Sequence, residues 1–116
     1  MGDSIRDQIR AQTLGAKVSF KTTIFNYNGI DVEFRQPSLR DRKVLIEKSK
    51  NAAGEFDMIE FLVWAVISNT YVPETKDKVF EPSDYEVMMN QPAGSFVDKF
   101  GEQIAELLNV ETDPKG

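Results

Sequence analysis

Few residue types in this 116-residue chain are equipped for covalent or metal chemistry. It contains no histidine and no cysteine. That removes the Ser-His-Asp arrangement, imidazole ligation, thiol nucleophiles, disulfides and thiolate zinc sites. The carboxylates are the remaining candidates. Asp57 and Glu60 stand three apart, a spacing that puts both on one face of a helix. Their setting in an apolar stretch reads as its solvent edge rather than as an acid/base pair. Glu74, Asp77, Glu81 and Asp84 cluster in one connection, but Lys76 and Lys78 interleave them and the D-x-D-x-D-G spacing of a calcium loop is absent. No glycine-rich loop opens a helix as phosphate binding requires. Ser19, Ser38, Ser68, Ser83 and Ser95 sit at strand, cap or helix-surface positions without a nucleophile motif. The expectation is a protein that is not an enzyme and uses no cofactor.

Residues suited to contact are better represented. Lys and Arg number 14 against 19 Asp and Glu, a net charge of −5. Arg35–Lys50 nevertheless holds six basic residues and two acids, so that stretch carries +4 and the remainder −9. Arg40, Arg42, Lys43 and Lys48 line it, either as a solvated helix face or as a docking face for an acidic patch. The overall negative charge and the lack of aromatic residues for base stacking argue against nucleic acid. Met88-Met89 is an adaptable apolar pair, suited to core filling or to contact with a partner. The phenylalanine-rich hairpin, with Phe25 and Tyr27, and the pair Phe96/Phe100 offer further apolar surface.

The elements that must position these residues follow from periodicity. Ser4 caps a helix through Asp7, with Ile5 and Ile9 one turn apart and Gly15 ending it. Val18, Phe20, Thr22 and Ile24 then alternate with polar residues. Asn28-Gly29 between two period-2 segments predicts a hairpin pairing Thr22–Tyr27 with Ile30–Arg35, because a type I′ turn needs two positive φ angles. The apolar face of the second strand is Ile30, Val32 and Phe34, and its other face is charged. Ser38 starts a helix after Pro37, with Asp41 three residues on. Glu55–Thr70 is apolar nearly all round, the pattern of a helix buried on several sides, with Trp64 as its anchor. Ser83 and Glu86 form an S-x-x-E capping box for a short helix that Pro92 ends. Phe96, Val97, Phe100, Ile104, Leu107 and Leu108 repeat at 3.6 residues in a final amphipathic helix.

The predicted class is therefore α+β and helix-dominated, an N-terminal β-hairpin packed on a bundle of about four α-helices. Residues 1–17 read as a flexible or helical arm that frays or docks on a neighbouring subunit. Residues 18–110 read as a single globular domain and 111–116 as a polar tail. No apolar run approaches the ~20 residues of a membrane span. The start of the chain lacks the apolar core of a secretory signal.

The hairpin Phe25-Asn26-Tyr27-Asn28-Gly29-Ile30-Asp31-Val32 runs at once into Pro37-Ser38-Leu39-Arg40-Asp41-Arg42. With the helices that follow, it resembles the small tail assembly chaperones of long-tailed, lambda-like phages and prophages. There an F-x-x-N-G-x-x-V hairpin leads into a (P/L)-S-x-x-x-R helix start. The resemblance spans residues 20–110. It implies a chaperone that binds the tape measure protein, keeps its apolar helices soluble and helps recruit tail tube subunits. It also implies self-association, action in the host cytoplasm and absence from the finished virion. Such proteins are commonly accompanied by a longer frameshifted product that contacts the tube protein. Asp113-Pro114-Lys115 is compatible with a C-CCA-AAG slippery heptamer. Two other readings fit the size: a structural head–tail connector or tail-completion protein, and a small regulatory nucleic-acid-binding protein acting through its basic helix.

Overall fold

The computed structural model of the chain describes residues 4–17 and 19–108. Val18 and the expected polar tail, with its Asp113-Pro114-Lys115, lie outside the described residues. Helix α1 (Ile5–Thr13) begins at an N-cap Ser4 whose hydroxyl accepts from the Asp7 N–H. The Gly15 N–H closes it on the Arg10 carbonyl. Strands β1 (Thr22–Tyr27) and β2 (Ile30–Arg35) form the predicted hairpin, with Asn28 and Gly29 at φ 52° and 85°. Asn26 secures the turn: its side chain accepts from the Gly29 N–H and donates to Asp31.

The turn also fixes the faces of the hairpin. Tyr27 lies opposite Ile30, Phe25 opposite Val32 and Thr23 opposite Phe34, and cross-strand partners share a face. The inward side of β1 is therefore the set Thr23, Phe25 and Tyr27. The alternation Val18, Phe20, Thr22, Ile24 had suggested the other face, and Ile24 instead points outward and is exposed. A short strand β3 (Thr70–Tyr71), unforeseen in the sequence, completes a three-stranded antiparallel sheet in the order β1-β2-β3.

Four helices pack with this sheet, as the α+β reading expected. Helix α2 (Leu39–Lys48) starts at Ser38, whose hydroxyl accepts from the Asp41 N–H. Helix α3 (Met58–Asn69) starts later than its apolar pattern suggested. Asp57 caps it by accepting from the Ile59 and Glu60 N–H groups, while Phe56 pairs with Lys50 in a β-bridge. The Asp57 cap sets the boundary because it satisfies two orphan donors at once. Helix α4 (Tyr85–Met89) follows a single 3-10 turn, Pro82–Asp84. Ser83 is not its cap: the Asp84 carboxylate accepts from the Glu81 N–H at 2.8 Å, and Pro82 opens the turn with its φ already set.

Helix α5 (Phe96–Leu108) packs against α3 at Gly101, where an added Cβ would sit 2.8 Å from the Leu62 Cδ2. The core gathers Phe34, Leu45, Phe61, Val66, Phe100 and Ile104, all buried. Phe100 is its aromatic hub, with ring centroids 5.1–5.9 Å from those of Tyr27, Phe34, Phe96 and Phe25. Trp64, expected as the anchor, is only half-buried and lies at the edge. Among the described residues no helix is long and apolar enough to cross a membrane.

Candidate functional site

An open apolar groove of about 300 Å³ lies between the hairpin turn and α5. Three stretches distant in sequence build it. The hairpin supplies Tyr27, Ile30 and Val32, the connection before α4 supplies Val79 and Phe80, and α5 supplies Phe96 and Phe100. Phe80 stacks on Phe96 with centroids 5.9 Å apart. Tyr27 meets Phe100 edge to face at 5.1 Å. Ile30, at the mouth, is 68% exposed. Such a surface offers a ligand almost no polar partner, so it favours apolar, shape-fitting contacts.

Val79 and Phe80 owe their position to a tight loop. The Val72 N–H donates to the Asp77 carbonyl, the Lys76 N–H to the Val72 carbonyl, and the Val79 N–H to the Thr70 carbonyl. Lys76 takes a left-handed φ of 64°, uncommon for a residue with a Cβ. Its ammonium reaches 2.6 Å from the Glu33 Oε1. Glu33 is 3% exposed. Arg35 adds a weaker contact at 4.0 Å and lays its guanidinium 4.2 Å over the Tyr71 ring. A charged residue on the strand's second face had been foreseen. Its burial had not, because the covering loop comes from 43 residues downstream.

A second assembly joins α2, α3 and α4. Lys48 places its ammonium 4.3 Å over Trp64, Trp64 stacks on Tyr85 at 4.9 Å, and the Tyr85 hydroxyl donates to Glu60 at 2.5 Å. The Glu60 hydrogen bond, then burial, then nearby carboxylates push the Tyr85 pKa up to about 12. The Asp57/Glu60 pair is thus divided between a helix cap and a tyrosine partner. Among the described residues no group of three or more Asp or Glu is placed to hold a metal ion.

The contact candidates from the sequence fall in separate places. Tyr27 lines the groove, and Phe25 lies behind it against Phe34 and Phe100. Arg40, Arg42 and Lys43 stand exposed on α2 beside exposed Leu39 and Ile46, with no ion pair among the described residues. Lys48 is engaged with Trp64. Met88 is core, while Met89 opens onto a shallow hollow of about 170 Å³ with Ile59, Pro92 and Val97. Sequence reasoning missed Ile30, Val79 and Phe80 as contact residues. Their signal was present only as apolar residues in a turn and a connection.

This arrangement of hairpin, short third strand and four packed helices is similar to the fold of a solved phage tail assembly chaperone. The solved structure of the bacteriophage HK97 tail assembly chaperone matches it with a TM-score of 0.55 and 17% identity, over 91% of this chain and 100% of that one. No protein-family model matches the sequence, and no curated protein matches it significantly.

Proposed function

We propose that the chain is a phage tail assembly chaperone that holds an apolar helical segment of the tape measure protein in the Tyr27/Ile30/Phe80/Phe96 groove. The observation that carries this reading is that groove, open and nearly free of polar atoms, on a fold similar to that of the HK97 chaperone. A holdase must present apolar surface and stay soluble, and the net charge of −5 supplies the second property. Bound in the groove, the client's apolar face leaves water and its competing self-aggregation is suppressed. Self-association would repeat the groove along a long client and multiply weak contacts. In this role the protein works by contact alone in the host cytoplasm, helps gather tube subunits, and leaves before the particle is finished.

The test is co-expression with a helical tape measure fragment from the same genome. The fragment should move to the soluble fraction with the wild-type chain and remain insoluble with the Ile30→Glu/Val79→Glu variant. Both side chains are exposed enough to be changed without disturbing the core. Equal solubilisation by wild type and variant would remove the groove from the account. Presence of the chain in purified particles would instead favour a structural tail component.

A further inference from the structure

Helix α1 buries no residue, and Ile5 and Ile9 are 70% and 57% exposed. A nine-residue helix without a partner is marginal in water, since nucleation costs more than so few turns return. Its apolar stripe, Ile5 and Ile9, stays open to solvent and is free to meet a further surface. The arm is basic: Arg6 and Arg10 follow Ile5 and Ile9 at the same spacing, Lys17 lies beyond, and Asp7 is the one acid among the described arm residues.

The body carries a complementary surface. The hollow at Met89 is floored by Val63, Met88 and Val97, with Ile59 and Met89 at its mouth 63% and 38% exposed. Asp98 lines it, and Glu86 stands on the same short helix as Met88 and Met89. From Asn51 to Thr75 and from Val79 to Asp98 there is no Lys or Arg. Apolar centre and acidic surroundings thus meet an arm with an apolar stripe and basic flank.

We propose that α1 of one copy docks in the Met89 hollow of a second copy, seating Ile5 and Ile9 beside Ile59 and Met89 and facing Arg6 and Arg10 toward the acids. Because the two halves lie on different elements, the contact is heterologous and passes from copy to copy. It names the surface for the self-association in the reading above and is independent of which client fills the aromatic groove.

The experiment is sedimentation of the full-length chain over a concentration series at low and high salt. Wild type should gain mass with concentration, less so as salt rises. Two exposed-site variants, Ile5→Asp/Ile9→Asp and Ile59→Glu/Met89→Glu, should each lose at least about tenfold in association, a shift of ~1.4 kcal/mol or more. Far-UV circular dichroism and thermal unfolding should show both variants folded like wild type. An equimolar mixture of the two variants should give heterodimers and nothing larger, since one retains its hollow and the other its arm. Wild-type-like assembly by the arm variant would overturn the proposal, as would a mixture that stays monomeric. A wild type that is monomeric at every concentration would also overturn it while leaving the client-solubility result untouched.

Discussion

Glu33 shows how a single side chain governs a surface several residues away. Its carboxylate is buried, and Lys76 supplies the closest opposite charge, from a loop residue held at positive φ. That pair pins the loop which carries Val79 and Phe80 to the groove. Fully buried pairs lose about 3–5 kcal/mol when one partner is removed. Lys76 is half-exposed and partly screened, so Lys76→Ala should cost about 1–3 kcal/mol in denaturant unfolding. It should also weaken client binding, whereas an Asp41→Asn control on the basic helix should not. Tyr85 gives a second residue-scale test. Its pKa is raised from 10.0 to about 12, so the hydrogen-bonded neutral form contributes stability fully present below pH 10 and lost as pH climbs toward 12. Absorbance titration near 295 nm should show one late-ionising tyrosine that disappears in Tyr85→Phe, and that variant should lose about 1 kcal/mol at neutral pH. A uniform titration of all the tyrosines would remove the Glu60 bond from the account.

At the scale of elements, the hairpin was the most legible feature. Asn28-Gly29 specifies the turn chemically, and the turn then sets the pairing from Thr22↔Arg35 to Tyr27↔Ile30. Ser4, Ser38 and the 3.6 period of Phe96–Leu108 were equally readable, since caps and amphipathic faces are local signals. What escaped was non-local. Two residues make too short a run to announce β3, and they pair only because β2 lies alongside. The inward face of β1 depended on register with Val32 and Phe34 rather than on its own alternation. The groove was half-legible: Tyr27 and Phe100 were candidates, but nothing local joins them to Phe80. Gly101 belongs to the same class, costing about 1 kcal/mol of helix propensity in return for close approach to Leu62. Gly101→Ala should therefore destabilise the fold by about 1–3 kcal/mol despite better propensity, as read from the thermal midpoint. A stabilised variant would show that α5 can shift on α3 without loss.

For the whole molecule, the separation of surfaces is the organising feature. The aromatic groove, the basic face of α2, the Met89 hollow and the α1 arm are formed by separate residues, although α5 contributes to both the groove and the hollow. The proposed client and neighbour contacts therefore do not compete for the same side chains. The net charge of −5 is unevenly distributed, with +4 concentrated in Arg35–Lys50. Not all of that charge is free for docking, since Arg35 and Lys48 are laid over Tyr71 and Trp64. Removing residues 1–14 should leave the thermal midpoint of the body within about 2 °C of wild type, because α1 buries nothing there. A large drop would mean that the arm supports its own core. The central claim, that the aromatic groove holds the client, is tested most directly by a photo-crosslinking amino acid placed at Ile30, with a control at exposed Lys99. In cells making both proteins, position 30 should crosslink to the apolar helical region of the tape measure protein and position 99 should not. Crosslinks to that protein from Lys99 and none from Ile30 would contradict the account.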